Sequence, residues 1–235
     1  MLNKLNRQDI TLSASVSCFN LFNMQSDMEQ VHRSRVSFLH FDVVDGRFNS
    51  CFILGTPTLA AIRPHTQLPI EVHLGVYEPI RFIEQYAACG ADYISVHAEA
   101  DDREGLLRCF DAIRQAGAEP VLALRAETEV SDDILMLARH VPWILKLTVD
   151  PGYSGQTIKP KAFASVRRLR EALQREGLDI GIQADGNVNT LTIPELVRAG
   201  ADMFTGGTSG LFLREATVAD NALRLLDAAI TVSPI

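Results

Sequence analysis

The sequence predicts a single (β/α)8 barrel, and three observations carry the prediction. Short β-branched or apolar runs recur along the 235 residues, stretches of helical periodicity separate them, and no Ser/Gly/Pro-rich linker or low-complexity block divides the chain. Eight runs have strand character: Leu12–Val16, Phe38–Val43, Ile70–Leu74, Tyr93–Val96, Val121–Leu124, Trp143–Leu147, Ile180–Gln183 and Met203–Thr205. They are short and largely apolar, as parallel strands covered on both faces should be. Helical patterns follow at Pro79–Cys89, Arg103–Gln115, Asp132–His140, Ala162–Arg175, Ile193–Arg198 and Val218–Ala229. Glycine follows the helical pattern in Cys89-Gly90-Ala91-Asp92, Ala116-Gly117-Ala118 and Ala199-Gly200-Ala201-Asp202, where a left-handed C′ residue ends a helix ahead of the next strand. Glu78-Pro79 is a start signal, because proline is tolerated in a first helical turn. A closed barrel accounts for this rhythm better than an open doubly wound sheet.

Composition narrows the class. With 47% hydrophobic and 22% charged residues, the chain can bury one large core. A net charge of −7 and a pI near 5.4 provide no basic field for a nucleic acid backbone. Cys18, Cys51, Cys89 and Cys109 show no C-x-x-C spacing and read as free thiols. Met1 to Asp9 lacks the apolar stretch of a secretion signal, and no apolar run reaches roughly 18 residues. A cytoplasmic protein without a membrane partner is expected, with its outer helices and loops free to form a homo-oligomer.

In such a barrel the chemistry belongs at the C-terminal strand ends. His40 and Asp42 share one face of the second run by alternation, His73 lies near the end of the third, and Asp185 follows the seventh. Each alone could be a hydrogen-bonded interior or turn residue. Together, two imidazoles and two carboxylates would carry a desolvation penalty of several kcal/mol without a ligand. Their N and O donors suit a divalent cation such as Zn²⁺, Fe²⁺ or Mn²⁺. Glycine-rich turns at Asp150–Gln156, Gly186-Asn187 and Gly206–Gly210 follow the last three runs. Their backbone N–H groups, with a short helix expected near Ser209, would suit a phosphate.

These residues also carry a resemblance. Ser13-Ala14-Ser15-Val16, His40-Phe41-Asp42-Val43-Val44-Asp45-Gly46-Arg47-Phe48, Glu71-Val72-His73-Leu74, Val96-His97-Ala98-Glu99, Thr148-Val149-Asp150-Pro151-Gly152, Asp185-Gly186 and Gly207-Thr208-Ser209-Gly210-Leu211-Phe212 occur in the order of the ribulose-phosphate 3-epimerase family. From Ser13 to Phe212 the chain resembles that family, with an ending closest to its allulose-6-phosphate 3-epimerase branch. The resemblance implies one divalent ion, Zn²⁺ first and Fe²⁺, Mn²⁺, Co²⁺ or Mg²⁺ as alternatives, on His40, Asp42, His73 and Asp185. Asp42 and Asp185 would also be the acid/base pair inverting C3 of a phosphorylated ketose through an enediolate. Ser15 and His73 would contact that substrate near its reacting end, and Gly152, Tyr153, Ser154, Gly155, Gly186, Asn187, Gly207, Thr208 and Ser209 along its phosphate side. The substrate would be ribulose 5-phosphate, allulose 6-phosphate or a related ketose phosphate.

The chain departs from the family where substrate is shaped. Three methionine positions read Val44, Gly75 and Leu147, and Gly75 is expected to free volume for a different sugar. Ala14 replaces a proline, Ser154 departs from the usual residue before Gly155-Gln156, and Asn187 replaces a second glycine. Arg47 replaces a common histidine and either reaches an added polar group or lies in solvent. Trp143 is expected between barrel and helices, Phe19, Phe22 and Met24 in a loop, and His97 beside Glu99 as a structural residue outside the catalytic set. The acidic run Glu99–Asp102 is expected to open a helix. Rival readings are a decarboxylase or aldolase-type lyase on a related sugar phosphate, and a non-catalytic sugar-phosphate-binding barrel. A lyase would want a catalytic lysine, yet Lys146 should face outward by alternation.

Overall fold

The computed structural model describes residues 10–152 and 155–230. Eight parallel strands form the barrel: β1 (Thr11–Ser15), β2 (Phe38–Asp45), β4 (Ile70–Gly75), β5 (Tyr93–His97), β6 (Glu119–Leu124), β7 (Trp143–Leu147), β8 (Gly181–Asp185) and β9 (Met203–Gly206). Pairing of β1 with both β2 and β9 closes the ring. The two-residue β3 (Phe52–Ile53) returns antiparallel to β2 and pairs with Val44 and Asp45. Five of the strands extend one or two residues further toward the C-terminus than the sequence pattern suggests. Their last residues, Asp45, Gly75, His97, Asp185 and Gly206, are polar or glycine and look like loop, yet they stay in the strands.

The outer layer is α1 (Met24–His32), α2 (Thr56–Ile62), α3 (Ile83–Ala88), α4 (Arg103–Gln115), α5 (Asp132–Ala138), α6 (Ala162–Arg175), α7 (Ile193–Arg198) and α8 (Val218–Ile230). The sequence pattern misses α1 and α2. Each buries only two side chains, Met28 and Val31 in α1 and Leu59 and Ile62 in α2, which leaves little apolar periodicity to detect. Met24 therefore opens a helix, while Phe19 is buried against Phe212, ring centroids 5.4 Å apart, and Phe22 is fully exposed. At the start of α4, Asp102 is the N-cap and accepts from Gly105 N–H at 2.7 Å, worth about 1 kcal/mol. The segment Gly207–Phe212 forms successive turns in place of the expected short helix.

The barrel interior has an apolar floor of Phe38, Tyr93, Val121, Ala123, Trp143, Leu145 and Met203. Trp143 thus points inward, correcting its expected place under the helices. By alternation it shares a face with Leu145 and Leu147, while Ile144 and Lys146 face the helices. A polar layer rests on this floor: Trp143 Nε1–H donates to Gln183 Oε1 at 2.7 Å, and Gln183 Nε2 donates to Glu71 Oε2 at 2.9 Å and Thr205 Oγ1 at 3.0 Å.

Two matching clamps tie strands together at the opposite, N-terminal end. Arg63 donates to Asp92 at 2.9 Å, and Asp92 accepts the first amide of β4, Ile70 N–H, at 2.8 Å. Arg170 likewise donates to Asp202 at 2.8 Å, and Asp202 accepts from Ile182 N–H of β8 at 2.8 Å. Each arginine lies across a left-handed glycine: a Cβ on Gly90 would fall 2.5 Å from Arg63, and one on Gly200 2.5 Å from Arg170. Among the described residues no helix is long and apolar enough to cross a membrane.

Candidate active site

The register of β2 against β4 sets Asp42 beside His73, and β8 brings Asp185 to the same mouth. His40 Nε2 and His73 Nδ1 lie 3.0 and 3.1 Å from Asp42 Oδ1, and Asp185 Oδ2 is 3.7 Å from His40 Nε2. One nitrogen or oxygen from each of His40, Asp42, His73 and Asp185 falls within 4.8 Å of the others. Ser15 and Ser17 hydroxyls donate to Asp42 Oδ2 at 3.1 and 2.9 Å.

Burial and charge divide the two aspartates. Burial would raise Asp42, but the charge of His40 and hydrogen bonds from both histidines outweigh it and hold the carboxyl well below the usual range. For Asp185 burial wins: it pushes the carboxyl up to about 6, with His40 opposing and the Asp42 charge adding. His40 is fully buried; burial opposes its charging, but Asp42 and Glu71 prevail and raise its pKa well above the ordinary imidazole value. Two carboxylates and two imidazoles, Asp42, Asp185, His40 and His73, therefore face one point, with the Glu71 carboxylate behind His40. This N₂O₂ donor set and its surplus negative charge fit a divalent cation, which would satisfy the lone pairs that protons otherwise hold.

Several groups here escaped the sequence reading. Glu71 is completely buried, with Oε2 2.8 Å from His40 Nδ1, and Gln183 braces it. Period-two alternation was the available signal, since Glu71 precedes His73 by two residues and Gln183 precedes Asp185 by two. His97 proves to be joined to the cluster, its Nε2 2.8 Å from His73 Nε2 and its Nδ1 2.9 Å from Glu99 Oε2. Burial pulls the His97 imidazole down to about 4. Glu99 thus braces His97 instead of opening α4.

The remaining predicted residues line the same cleft. Ser15, Gly152, Gly155, Gly186, Asn187, Gly207, Thr208 and Ser209 border it with Asp42, His73 and Asp185. Tyr153 and Ser154 lie outside the described residues. Among the described lining residues there is no Lys or Arg, so an anion in this cleft would depend on backbone N–H groups. Asn187 takes a left-handed backbone (φ 52°), a conformation that favours glycine and that asparagine tolerates. Asn189 Nδ2 donates to its side-chain oxygen at 2.8 Å and Thr192 Oγ1 to its carbonyl at 2.7 Å.

Val44 and Leu147 border the cleft; Gly75 does not. A Cβ at Gly75 would meet Val43 O at 3.3 Å, Val44 Cγ2 at 3.4 Å and Phe48 Cδ1 at 3.5 Å, so neighbouring side chains occupy the volume expected to be free. Arg47 points to solvent, 3.8 Å from Glu78. Lys146 faces away from the interior as alternation requires, yet it is buried, and its Nζ donates to Arg125 O at 2.7 Å and Thr128 O at 2.8 Å. It stands outside the cleft and offers no amine to a lyase reaction.

The model of the ribulose-phosphate 3 epimerase family matches residues 11–212. Ribulose-phosphate 3-epimerase of Synechocystis sp. is 30% identical over 202 residues, 86% of this chain and 87% of the relative. That of Bacillus subtilis is 30% identical over 205 residues, 85% of this chain and 91% of the relative. Among solved structures, 3-keto-L-gulonate-6-phosphate decarboxylase from Vibrio cholerae superposes with a TM-score of 0.70 at 14% identity, covering 96% of this chain and 100% of that one. For 3-hexulose-6-phosphate synthase from Salmonella typhimurium the TM-score is 0.66 at 14% identity, covering 95% and 100%. These two likenesses speak for the shared barrel alone. With the family model matching residues 11–212 and relatives 30% identical over most of the chain, the chain belongs to the ribulose-phosphate 3-epimerase family, a family of isomerases.

Proposed function

We propose that this chain, as one catalytic domain, epimerises a phosphorylated ketose at C3, next to the carbonyl, with Asp42 and Asp185 as the proton-carrying pair. The observation that carries the reading is the convergence of His40, Asp42, His73 and Asp185 on one point, the last three of them lining a cleft with the glycine-rich loops and His40 buried behind them. A proton on carbon beside a ketone is far less acidic than a carboxylic acid, so the developing negative charge needs stabilisation. A divalent ion held by His40, Asp42, His73 and Asp185, zinc first among Zn²⁺, Fe²⁺, Mn²⁺, Co²⁺ and Mg²⁺, supplies that stabilisation as a Lewis acid.

The chain's own residues supply the rest. One aspartate takes the C3 proton on one face, and the other returns a proton on the opposite face, which inverts the centre; the roles exchange in the reverse direction. Ser15 and Ser17 fix the outer oxygen of Asp42, so its proton-accepting edge keeps one direction. Backbone N–H groups of Gly186, Asn187, Gly207, Thr208 and Ser209, with Gly152 and Gly155 opposite, receive the phosphate. A phosphate anchored there leaves the sugar's carbonyl end over the aspartates, and Val44 and Leu147 shape the space between.

The test is turnover in deuterium oxide with tetrulose, pentulose and hexulose phosphates. The expected result is deuterium at C3 of the product and a preference for a ketose other than ribulose 5-phosphate. Turnover without exchange would sink the two-aspartate scheme. A strong ribulose 5-phosphate preference would show that Val44, Gly75 and Leu147 do not redirect the substrate.

A further inference from the structure

The line His73–His97–Glu99 leads away from the cleft and takes part in none of the proton transfers above. We propose that His97 and Glu99 are positioning residues that commit His73 to presenting the lone pair of Nδ1 to the metal ion; the inference rests on the metal-site reading given under Proposed function.

Proton accounting carries the argument. Glu99 Oε1 accepts from Arg125 N–H at 2.9 Å and from the Thr128 hydroxyl, and Oε2 lies 2.9 Å from His97 Nδ1. A carboxylate is an acceptor only, so the proton in that last bond belongs to His97 Nδ1. The Nε2 atoms of His97 and His73 are 2.8 Å apart, and two imidazole nitrogens at that distance share one proton. With Nδ1 of a singly protonated His97 already carrying its hydrogen, its Nε2 is the acceptor and His73 must supply Nε2–H. The other nitrogen of His73 faces Asp42 Oδ1 at 3.1 Å, and it is the one that gives up its proton to offer a lone pair when an ion binds.

The surroundings hold this line in place. His97 is wholly buried with the Phe48 ring 4.6 Å from its own, and Arg125 covers the Phe48 ring at 4.1 Å. Lys146 fastens the segment that grips Glu99 through the carbonyls of Arg125 and Thr128. His40 reaches the same end by a shorter route, with Glu71 directly behind its Nδ1. One ligand is therefore backed by a carboxylate, the other by an imidazole and then a carboxylate, and partners of this kind typically change metal affinity by roughly 10–100-fold.

The experiment compares Zn²⁺ affinity by calorimetry in the full wild-type chain, His97→Phe and His97→Gln, with melting of the metal-free proteins as the control for folding. Zn²⁺ should bind the Phe variant roughly 10–100-fold more weakly than wild type. The Gln variant, whose side-chain carbonyl can still accept from His73, should recover part of the loss. Histidine ¹⁵N shifts of the Zn²⁺-loaded wild type should show His73 as Nε2–H with Nδ1 metal-bound. Equal affinity in wild type and a folded Phe variant overturns the proposal, as does His73 carrying its proton on Nδ1 in the loaded protein. If His97→Phe does not fold, the ¹⁵N pattern decides. A wild-type chain that binds no Zn²⁺ overturns the metal reading itself, a failure seen before any variant is made.

Discussion

Asp42 is gripped by two serine hydroxyls and flanked by two imidazoles. Across the same cleft, among the described residues, no hydrogen bond reaches the side chain of Asp185, whose nearest ionic neighbour is His40 at 3.7 Å. Two identical side chains at neighbouring heights of one barrel therefore have opposite tendencies, one held ionised and the other biased toward its proton. In the metal-free chain the surroundings thus set the two carboxyls apart without changing the residue type, and the proposed inversion would ask one group to accept a proton and the other to donate one.

The comparison can be broken most directly by Asp42→Asn and Asp185→Asn. Each should lower epimerase turnover by up to about 10⁴-fold, yet each should still wash solvent deuterium into one epimer, a different one for each variant. Loss of exchange from both epimers in both variants would mean that the aspartates do not divide the faces. Chelation should likewise abolish turnover and added divalent ion restore it; full activity in metal-free protein would remove the ion from the scheme.

Stability against pH sharpens the contrast in metal-free protein. Asp185 has a folded value of about 6, above the roughly 3.9 of an unfolded chain. Its contribution is thus present below about pH 4 and lost as pH rises through about 6, amounting to roughly 3 kcal/mol at most. Asp42 has the opposite sign: its folded value is lowered, so its contribution is present at neutral pH and disappears on acidification. Asp185→Asn should accordingly be more stable than wild type at pH 8 and indistinguishable at pH 4, while Asp42→Asn should be less stable at pH 8. Urea unfolding measures both, and equal stabilities at pH 8 would show the two environments to be alike. The smallest effect is expected for Ser17→Ala, about 1 kcal/mol from one lost hydrogen bond to Asp42, with turnover down tenfold or less because Ser15 keeps its own bond.

Much of this was legible in the sequence because β-strand alternation and strand-end position are local rules. His40 and Asp42 could be placed on one face by alternation, His73 and Asp185 at strand ends by position, and the glycine loops from their succession after the last strands. What was hidden depends on distant neighbours. Glu71 and Gln183 are inward by the same alternation, but only the closed barrel brings them, from opposite sides, to 2.9 Å. His97 next to Glu99 has a local structural meaning, and its link to His73 appears only when β4 and β5 lie side by side. Gly75 misled for the converse reason: a missing side chain suggests space, whereas the Val43 carbonyl and the Val44 and Phe48 side chains pack around the position.

The paired clamps at the base of the barrel have a consequence of their own. Arg63–Asp92 joins the third and fourth barrel strands and Arg170–Asp202 the seventh and eighth, so the same lock recurs four strands apart on opposite sides of the ring. Fastened from beneath at two opposite points, the rim is free to vary. A change in the mouth loops leaves these ties in place, and with them the frame that carries the two aspartates.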